Sequence, residues 1–203
     1  MAVRPPAVRP LYRRWLRLYV PVAALVFALS TLVGLALGSA VPVESLPTPD
    51  TTGSSDIFPP LTTVDIAVNN LVAMGVLLFG AVSIGLVTLF GLVLNGLLVG
   101  AVVGIAVQQL SPLVVLALLV PHGVLEIPAL LVVAAVGLRF ARLTIRYVRG
   151  LEDDLVTEQD IREAGWLVAA SAVLIVVAAY IEANITLAVA EWVSGGELPA
   201  VES

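Results

Sequence analysis

The sequence predicts an all-α fold, a polytopic bundle of about five transmembrane helices. Of the 203 residues, 60% are hydrophobic and 12% are charged, and the mean hydropathy is +1.06. Residues 66–125 contain no Asp, Glu, Lys or Arg. At ~1.5 Å of rise per residue, a helical run of this length could cross a ~30 Å hydrocarbon core about three times. These observations indicate a membrane protein rather than a soluble domain.

The charged residues and the missing residue types exclude several classes of protein. All ten basic residues are arginines, and the formal net charge is -5. Nucleic acid is not expected as a partner, because neutralising phosphate requires clustered basic side chains. The chain has no cysteine for disulfides or thiolate sites, and its single histidine, His122, excludes motifs that need two. We therefore expect no bound metal and no other cofactor.

The N-terminal part predicts an anchored first span. Residues 1–17 form an arginine-rich lead, and the apolar residues 18–40 follow it. Tyr12 and Trp15 precede the apolar stretch, where aromatic side chains favour the membrane interface. A cleaved signal peptide ending at Gly38-Ser39-Ala40 is the alternative. The apolar stretch has ~20 residues against the ~7–15 of a signal sequence, which favours an uncleaved span.

Arginine positions predict the orientation of the chain in the cell membrane. Residues 41–64 hold five prolines and no arginine, so they are expected outside, opposite the lead. Residues 139–163 carry five arginines and are expected in the cytoplasm. An odd number of spans must separate them, and residues 65–138 have room for three. The fifth span is expected at residues 164–190, and an external tail at residues 191–203.

The turns between these spans can be placed from local signals. The second, third and fourth spans are expected near Ile66–Thr88, Val93–Gln109 and Leu113–Leu138. Turns are expected around Phe90–Leu92 and at Ser111-Pro112. The helix of the fifth span is expected to begin with a capping box between Thr157 and Asp160.

Glycine spacing predicts how two of the spans pack. Gly96, Gly100 and Gly104 recur every four residues, and Gly34 and Gly38 repeat the spacing in the first span. Small residues at this spacing let helix backbones approach closely in a membrane. Packing within one bundle is the first interpretation, and homodimerisation through the glycine face is the alternative.

A second face, on the cytoplasmic side, is defined by arginines at helical spacing. Its members are Arg139, Arg142, Arg146 and Arg149. Arginines at headgroup level favour water or lipid phosphate, so a solvated or lipid-binding face is expected.

Polar residues inside the predicted spans are the strongest functional signal. They are Asn69, Asn70, Asn95, His122, Glu126, Glu182 and Asn184. His122 and Glu182 are each expected ~12–14 Å below the outer surface, and Glu126 lies one helical turn from His122. Asn69 and Asn70 are expected nearer the outer surface, whereas Asn95 is expected near the cytoplasmic face.

The segment around the histidine contains helix-breaking residues. Pro121, Gly123 and Pro128 predict that the fourth span is kinked or broken into half-helices. Ionisable groups are costly at this depth and often mark ion or substrate sites. Two readings besides a ligand site remain open, a structural lock between helices and a catalytic centre.

A set of residues spread over the third to fifth spans forms a recognisable pattern. It comprises Asn95-Gly96, Gly100, Pro121-His122-Gly123, Glu126-Ile127-Pro128-Ala129, Gly137-Leu138-Arg139, Ile181-Glu182-Ala183 and Thr186. The pattern resembles the stage II sporulation protein M family, over about Val20 to Ala190. The resemblance implies an integral membrane protein with His122, Glu126 and Glu182 at motif positions. In spore-forming bacteria the named member of that family takes part in engulfment, with partner proteins that remodel peptidoglycan.

The sequence favours a non-enzymatic protein that organises membrane partners or membrane shape, its polar cluster locking the bundle. The expected partners are the lipid bilayer and either other membrane proteins or a second copy. An intramembrane hydrolase or peptidase is the first alternative, with Glu126 or Glu182 activating a water that His122 positions, with or without a metal. A small transporter or channel subunit is the second.

The five-span orientation is testable with introduced cysteines, because the chain has none of its own. Single cysteines at Ser54 and at Gly150 should react with an impermeant thiol reagent from opposite sides of the membrane. The reason is the arginine asymmetry between the two segments. Labelling of both positions from the same side would require an even number of spans between them and would contradict the prediction.

Overall fold

The computed structural model describes residues 7–42 and 62–196, which form helices and turns without a strand. The α-helices are α1 (Val8–Leu11), α2 (Tyr19–Ser39), α3 (Thr63–Leu78), α4 (Leu86–Ala106), α5 (Pro112–Val148), α6 (Glu158–Ile181) and α7 (Leu187–Ser194). π-helical turns lie at Tyr12–Leu16, before α2, and at Glu182–Thr186, between α6 and α7. The predicted all-α class is confirmed.

Within residues 7–42 and 62–196, four helical stretches are long and apolar enough to cross a membrane. They are α2, α4, α5 and the continuous stretch Glu158–Ser194, which contains α6, a π turn and α7. α3 is a shorter apolar helix of 16 residues and continues into a 3₁₀ turn at Phe79–Ala81. Together they span ~30 Å, about one hydrocarbon core. α3 can therefore serve as the remaining span, and the count of five stays a prediction.

Parts of the predicted organisation lie outside the described residues. These are residues 1–6 of the lead, residues 43–61 of the predicted external loop and residues 197–203 of the predicted tail. The bounds of α2 agree with the first span expected at residues 18–40 to within one residue at each end. The fourth span was expected to end at Leu138, and α5 continues ten residues beyond it.

The turn between the second and third predicted spans lies at residues 79–85, so the turn expected around Phe90–Leu92 is wrong. Phe90–Leu92 belongs to α4. Gly85 adopts a φ of 86°, a left-handed conformation that costs glycine little. The Thr88 hydroxyl donates to the Leu77 carbonyl at 2.6 Å and closes the turn. Gly91, which suggested the turn at Phe90–Leu92, packs against the Leu77 side chain instead.

α5 runs without interruption through Pro121 and Pro128. Of the two forms expected for this span, kinked or broken, the break into half-helices does not occur. Each proline removes one backbone hydrogen bond. The remaining bonds of a 37-residue helix keep it continuous.

Glycines bring α2 and α4 into backbone contact. A Cβ on Gly34 or Gly38 would collide with backbone atoms of Leu97 or Ala101, and one on Gly100 would collide with the Thr31 carbonyl. Every glycine of the predicted packing face faces the neighbouring helix in this way: Gly34, Gly38, Gly96, Gly100 and Gly104. The glycine face is therefore used within the chain.

A buried cluster of charged and aromatic side chains ties α6 to α5 and to the N-terminal segment. We call it the Arg–Trp cluster, and it consists of Arg14, Trp15, Arg139, Asp160 and Glu163. Asp160 Oδ1 accepts from Arg14 Nη2 at 2.7 Å and from Arg139 Nη2 at 2.8 Å. Glu163 accepts from Trp15 Nε1 at 2.6 Å and from Arg14 Nη1 at 3.1 Å.

Arg139 does not follow the expectation of a solvated or lipid-binding arginine face. Its guanidinium carbon lies 4.5 Å from the centre of the Trp15 ring, and Nη1 donates to the Arg14 carbonyl at 2.9 Å. The other members of that face lie nearer the surface, where Arg146 pairs with Glu152 at 2.8 Å. The predicted capping box between Thr157 and Asp160 is confirmed and fixes the helix end that carries the cluster.

Substitution of Gly100 tests the α2–α4 contact. Gly100→Leu should destabilise the protein by about 2–3 kcal/mol, because the added side chain must displace backbone atoms of α2. Gly165→Leu is the matched control, since nothing lies within 4 Å of a Cβ at Gly165. Thermal unfolding in detergent gives both values. Equal melting temperatures for the two variants would mean that the α2–α4 contact contributes little.

Substitution of Arg139 tests the Arg–Trp cluster. Arg139→Met should cost about 3 kcal/mol, because it leaves the buried Asp160 carboxylate without one of its two arginines. Arg146→Met is the control and should cost less than about 1 kcal/mol, since its pair with Glu152 is exposed. The measurement is again thermal unfolding, and similar losses in the two variants would contradict a structural role for the cluster.

Candidate functional site

A cavity of about 440 Å³ lies among α3, α4, α5 and the π turn that follows α6. We call it the carboxylate cavity. Its lining residues are Asp65, Ile66, Asn69, Asn70, Val99, Leu119, His122, Gly123, Glu126, Ile127 and Glu182. Five of the residues singled out from the sequence are therefore polar side chains in its wall.

The structure brings His122, Glu126 and Glu182 together. His122 and Glu126 lie one turn apart on the same face of α5, and Glu182 is the first residue of the π turn. One ligating atom from each of the three side chains lies within 4.8 Å of the other two. All three are half-buried.

Thr186 supports the histidine from the same π turn. Its hydroxyl donates to the Ile181 carbonyl at 3.2 Å and lies 3.4 Å from His122 Nδ1. If the hydroxyl proton stays on that carbonyl, Thr186 Oγ1 accepts from the imidazole. The ring proton would then lie on Nδ1 and the lone pair on Nε2, because the donor and acceptor roles of the two atoms depend on the histidine tautomer.

The amide and acidic side chains of α3 form the opposite wall. Asn69 Nδ2 donates to Asn70 Oδ1 at 3.3 Å, and Asn70 is buried. Asp65 accepts from the Thr62 backbone N–H at 2.9 Å and from the Thr62 hydroxyl at 2.7 Å. This capping box was missed in the sequence, although the spacing of a Thr and an acid three residues later signals one.

Several of the predicted residues lie away from the cavity. Asn95 donates to the Gly91 carbonyl at 2.8 Å from the middle of α4, so its expected place near the cytoplasmic end is wrong. Asn184 donates to Thr63 Oγ1 at 3.1 Å and joins the π turn to the start of α3. Gly96 and Gly100 serve the contact with α2, whereas Pro121 and Pro128 are not among the lining residues.

The wall of the cavity is acidic. It carries three carboxyl groups, two amides and one imidazole, and none of its lining residues is an arginine. No arginine occurs between residues 18 and 138 or after residue 162. An arrangement of this kind attracts cations and accepts hydrogen bonds from polar ligands.

Most of the chain is similar in sequence to known proteins. Residues 23–187 match the family model described as stage II sporulation protein M. The chain is also 35% identical over 128 residues to an uncharacterized protein of Methanocaldococcus jannaschii, an alignment that covers 63% of this chain and 72% of that relative. No solved structure matches the chain. The family match includes every residue of the carboxylate cavity, and the chain belongs to the stage II sporulation protein M family.

Proposed function

We propose that this integral membrane protein is a non-catalytic organiser of membrane partners whose carboxylate cavity binds a small polar or cationic ligand from the outer side. The observation that carries the proposal is the convergence of His122, Glu126 and Glu182 on one cavity. The family match and the four long apolar helices support the membrane location. Arginine asymmetry supports the cell membrane with a cytoplasmic N-terminus and an external C-terminus.

A ligand site accounts for the three side chains better than a structural lock does. A lock requires a hydrogen bond from Glu126 or Glu182 to His122 or to an asparagine, and neither carboxyl makes one in the described part of the chain. Other contacts hold the surrounding helices together, among them the bond from Asn184 to Thr63 and the Arg–Trp cluster. Carboxyl groups are expensive inside a membrane, so two of them without a structural duty favour binding.

Ligand binding offers a route to partner organisation. Glu126 belongs to α5 and Glu182 to the π turn after α6, so a ligand held by both would fix the distance between the two longest helical stretches. Both stretches have apolar surfaces exposed along much of their length, including Val124, Val173 and Tyr180. A shift of one stretch against the other would change the surface that neighbouring membrane proteins meet.

An intramembrane hydrolase or peptidase is the second candidate, favoured by the same convergence of an imidazole and two carboxylates. In that case Glu126 or Glu182 would take a proton from a water molecule, and His122 would position it. The two candidates differ in the effect of Glu→Gln variants. A hydrolase would lose turnover while keeping substrate affinity, whereas a binding protein would lose affinity itself.

The test of the proposed function is whether the cavity is open to water on the outer side. In the cysteine-free chain, Gly123→Cys should react with a cationic, impermeant methanethiosulfonate added outside. Gly123 lines the cavity and has no atom nearer than 3.8 Å to an added Cβ, so the side chain fits. The reaction should be at least about tenfold faster than with an anionic reagent, since carboxylates surround the thiol.

Val124→Cys is the matched control, because Val124 is the next residue of α5. Val124 is 62% exposed and faces away from the other helices, where lipid is expected. It should react slowly with both reagents, since thiolate formation is suppressed in hydrocarbon. Equally slow reaction at both positions would show a dry cavity and would return the three residues to the role of a structural lock.

A further inference from the structure

We infer that the carboxylate cavity binds a divalent first-row transition-metal ion through His122, Glu126 and Glu182. The inference rests on the proposed function, because it names the chemical class of the ligand that the cavity takes from outside. An imidazole nitrogen with two carboxylate oxygens suits Zn²⁺, Mn²⁺ and Fe²⁺.

The spacing of the ligating atoms fits an ion of this size. Two ligands that each lie ~2.1 Å from a metal are at most ~4.2 Å apart. The three atoms here lie within 4.8 Å of one another, so small rotations of the two glutamate side chains would close the site. The i, i+4 pair of His122 and Glu126 on one helix supplies two ligands from a rigid element, and Glu182 supplies the third from the facing one.

The histidine is oriented for metal binding. Metal-ligating histidines usually donate their second ring N–H to a neighbouring oxygen, which fixes the tautomer. Thr186 Oγ1 fills that role, since its own proton goes to the Ile181 carbonyl and His122 Nδ1 lies 3.4 Å away. The remaining nitrogen, Nε2, then carries the lone pair that a metal requires.

Charge balance points in the same direction. Glu126 and Glu182 converge at a depth where unpaired charge is costly, and neither forms an ion pair with an arginine in the described part of the chain. A divalent cation would neutralise both carboxylates at once. A metal is thus the expected counter-ion of the site, contrary to the sequence-based expectation of no metal.

Ligand number separates the candidate ions. Ca²⁺ takes six to eight oxygen ligands and Mg²⁺ favours oxygen alone, whereas this site contributes a nitrogen and few oxygens. The cavity of about 440 Å³ has room for waters that complete the coordination of a transition metal.

Metal titration of the full-length protein in lipid nanodiscs tests the inference. After treatment with EDTA, Mn²⁺ binding is followed by electron paramagnetic resonance and Zn²⁺ binding by calorimetry. We expect one ion per chain, not displaced by excess Mg²⁺ or Ca²⁺. His122→Gln and Glu182→Gln should abolish it, and Thr186→Val should weaken it at least about tenfold, because the imidazole loses its orienting oxygen.

Two controls separate ligation from damage to the fold. Thr186→Ser keeps the hydroxyl and should restore the affinity. Glu191→Gln removes an exposed carboxylate on α7 outside the cavity and should bind like the unmodified chain. Undiminished binding in His122→Gln, or loss of binding in Glu191→Gln as large as in Glu182→Gln, would overturn the assignment.

Failure of the metal site and failure of the proposed function give different results. A reactive Gly123→Cys combined with no metal binding by any ion would overturn the metal assignment and leave another polar ligand in the cavity. Equal competition by Mg²⁺ or Ca²⁺ would overturn the transition-metal class. An unreactive Gly123→Cys overturns access from the outer side, and combined with no metal binding it overturns the proposed function as a whole.

Discussion

The register between α5 and the stretch Glu158–Ser194, which carry His122, Glu126 and Glu182, depends on the Arg–Trp cluster near one end of both. Asp160 binds arginines from two different segments, Arg14 and Arg139, so its charge can be buried only when the N-terminal segment, α5 and α6 meet in one register. At the opposite end Ala190 lies in one buried cluster with Val114 and Ala117. The two stretches therefore run antiparallel, and the register set at the cluster is carried to the carboxylate cavity between them.

The two polar sites of the bundle differ in how completely their groups are paired. In the Arg–Trp cluster each carboxylate accepts from at least two donors, and Trp15 is fully buried. In the carboxylate cavity the acids of α5 and the π turn converge without arginine. Carboxylates paired with several donors rigidify a structure, although Arg139 Nε in this cluster has no hydrogen-bond partner in the described part of the chain. Carboxylates without donors keep lone pairs that can bind a ligand. The α2–α4 pair, held by backbone contact at glycines, contributes to packing without contributing ionisable groups to either site.

The sequence predicts the membrane fold and the meeting of His122 with Glu182 because both depend on simple physical limits. Uncharged residues 66–125 have to be placed in lipid, and polar groups at equal depth tend to find each other. The turn at residues 79–85 was misplaced because a glycine in an apolar run signals a turn or a helix contact equally well. The role of Arg139 was missed because only the folded chain brings Trp15 beside it.

The π turn at Glu182–Thr186 has a consequence for relatives of different length. A π turn holds one residue more than the α-helical turn it replaces, and it absorbs that residue without changing the direction in which the following helix presents its side chains. A relative lacking one residue here would form an ordinary α-helix, and the residues beyond it would keep nearly the same orientation. Ala190 would stay in its cluster with Val114. The change would instead fall on the spacing of Glu182 and Thr186 within the turn. A one-residue alignment gap in this segment would therefore mark a rearranged cavity in a bundle whose packing is otherwise kept.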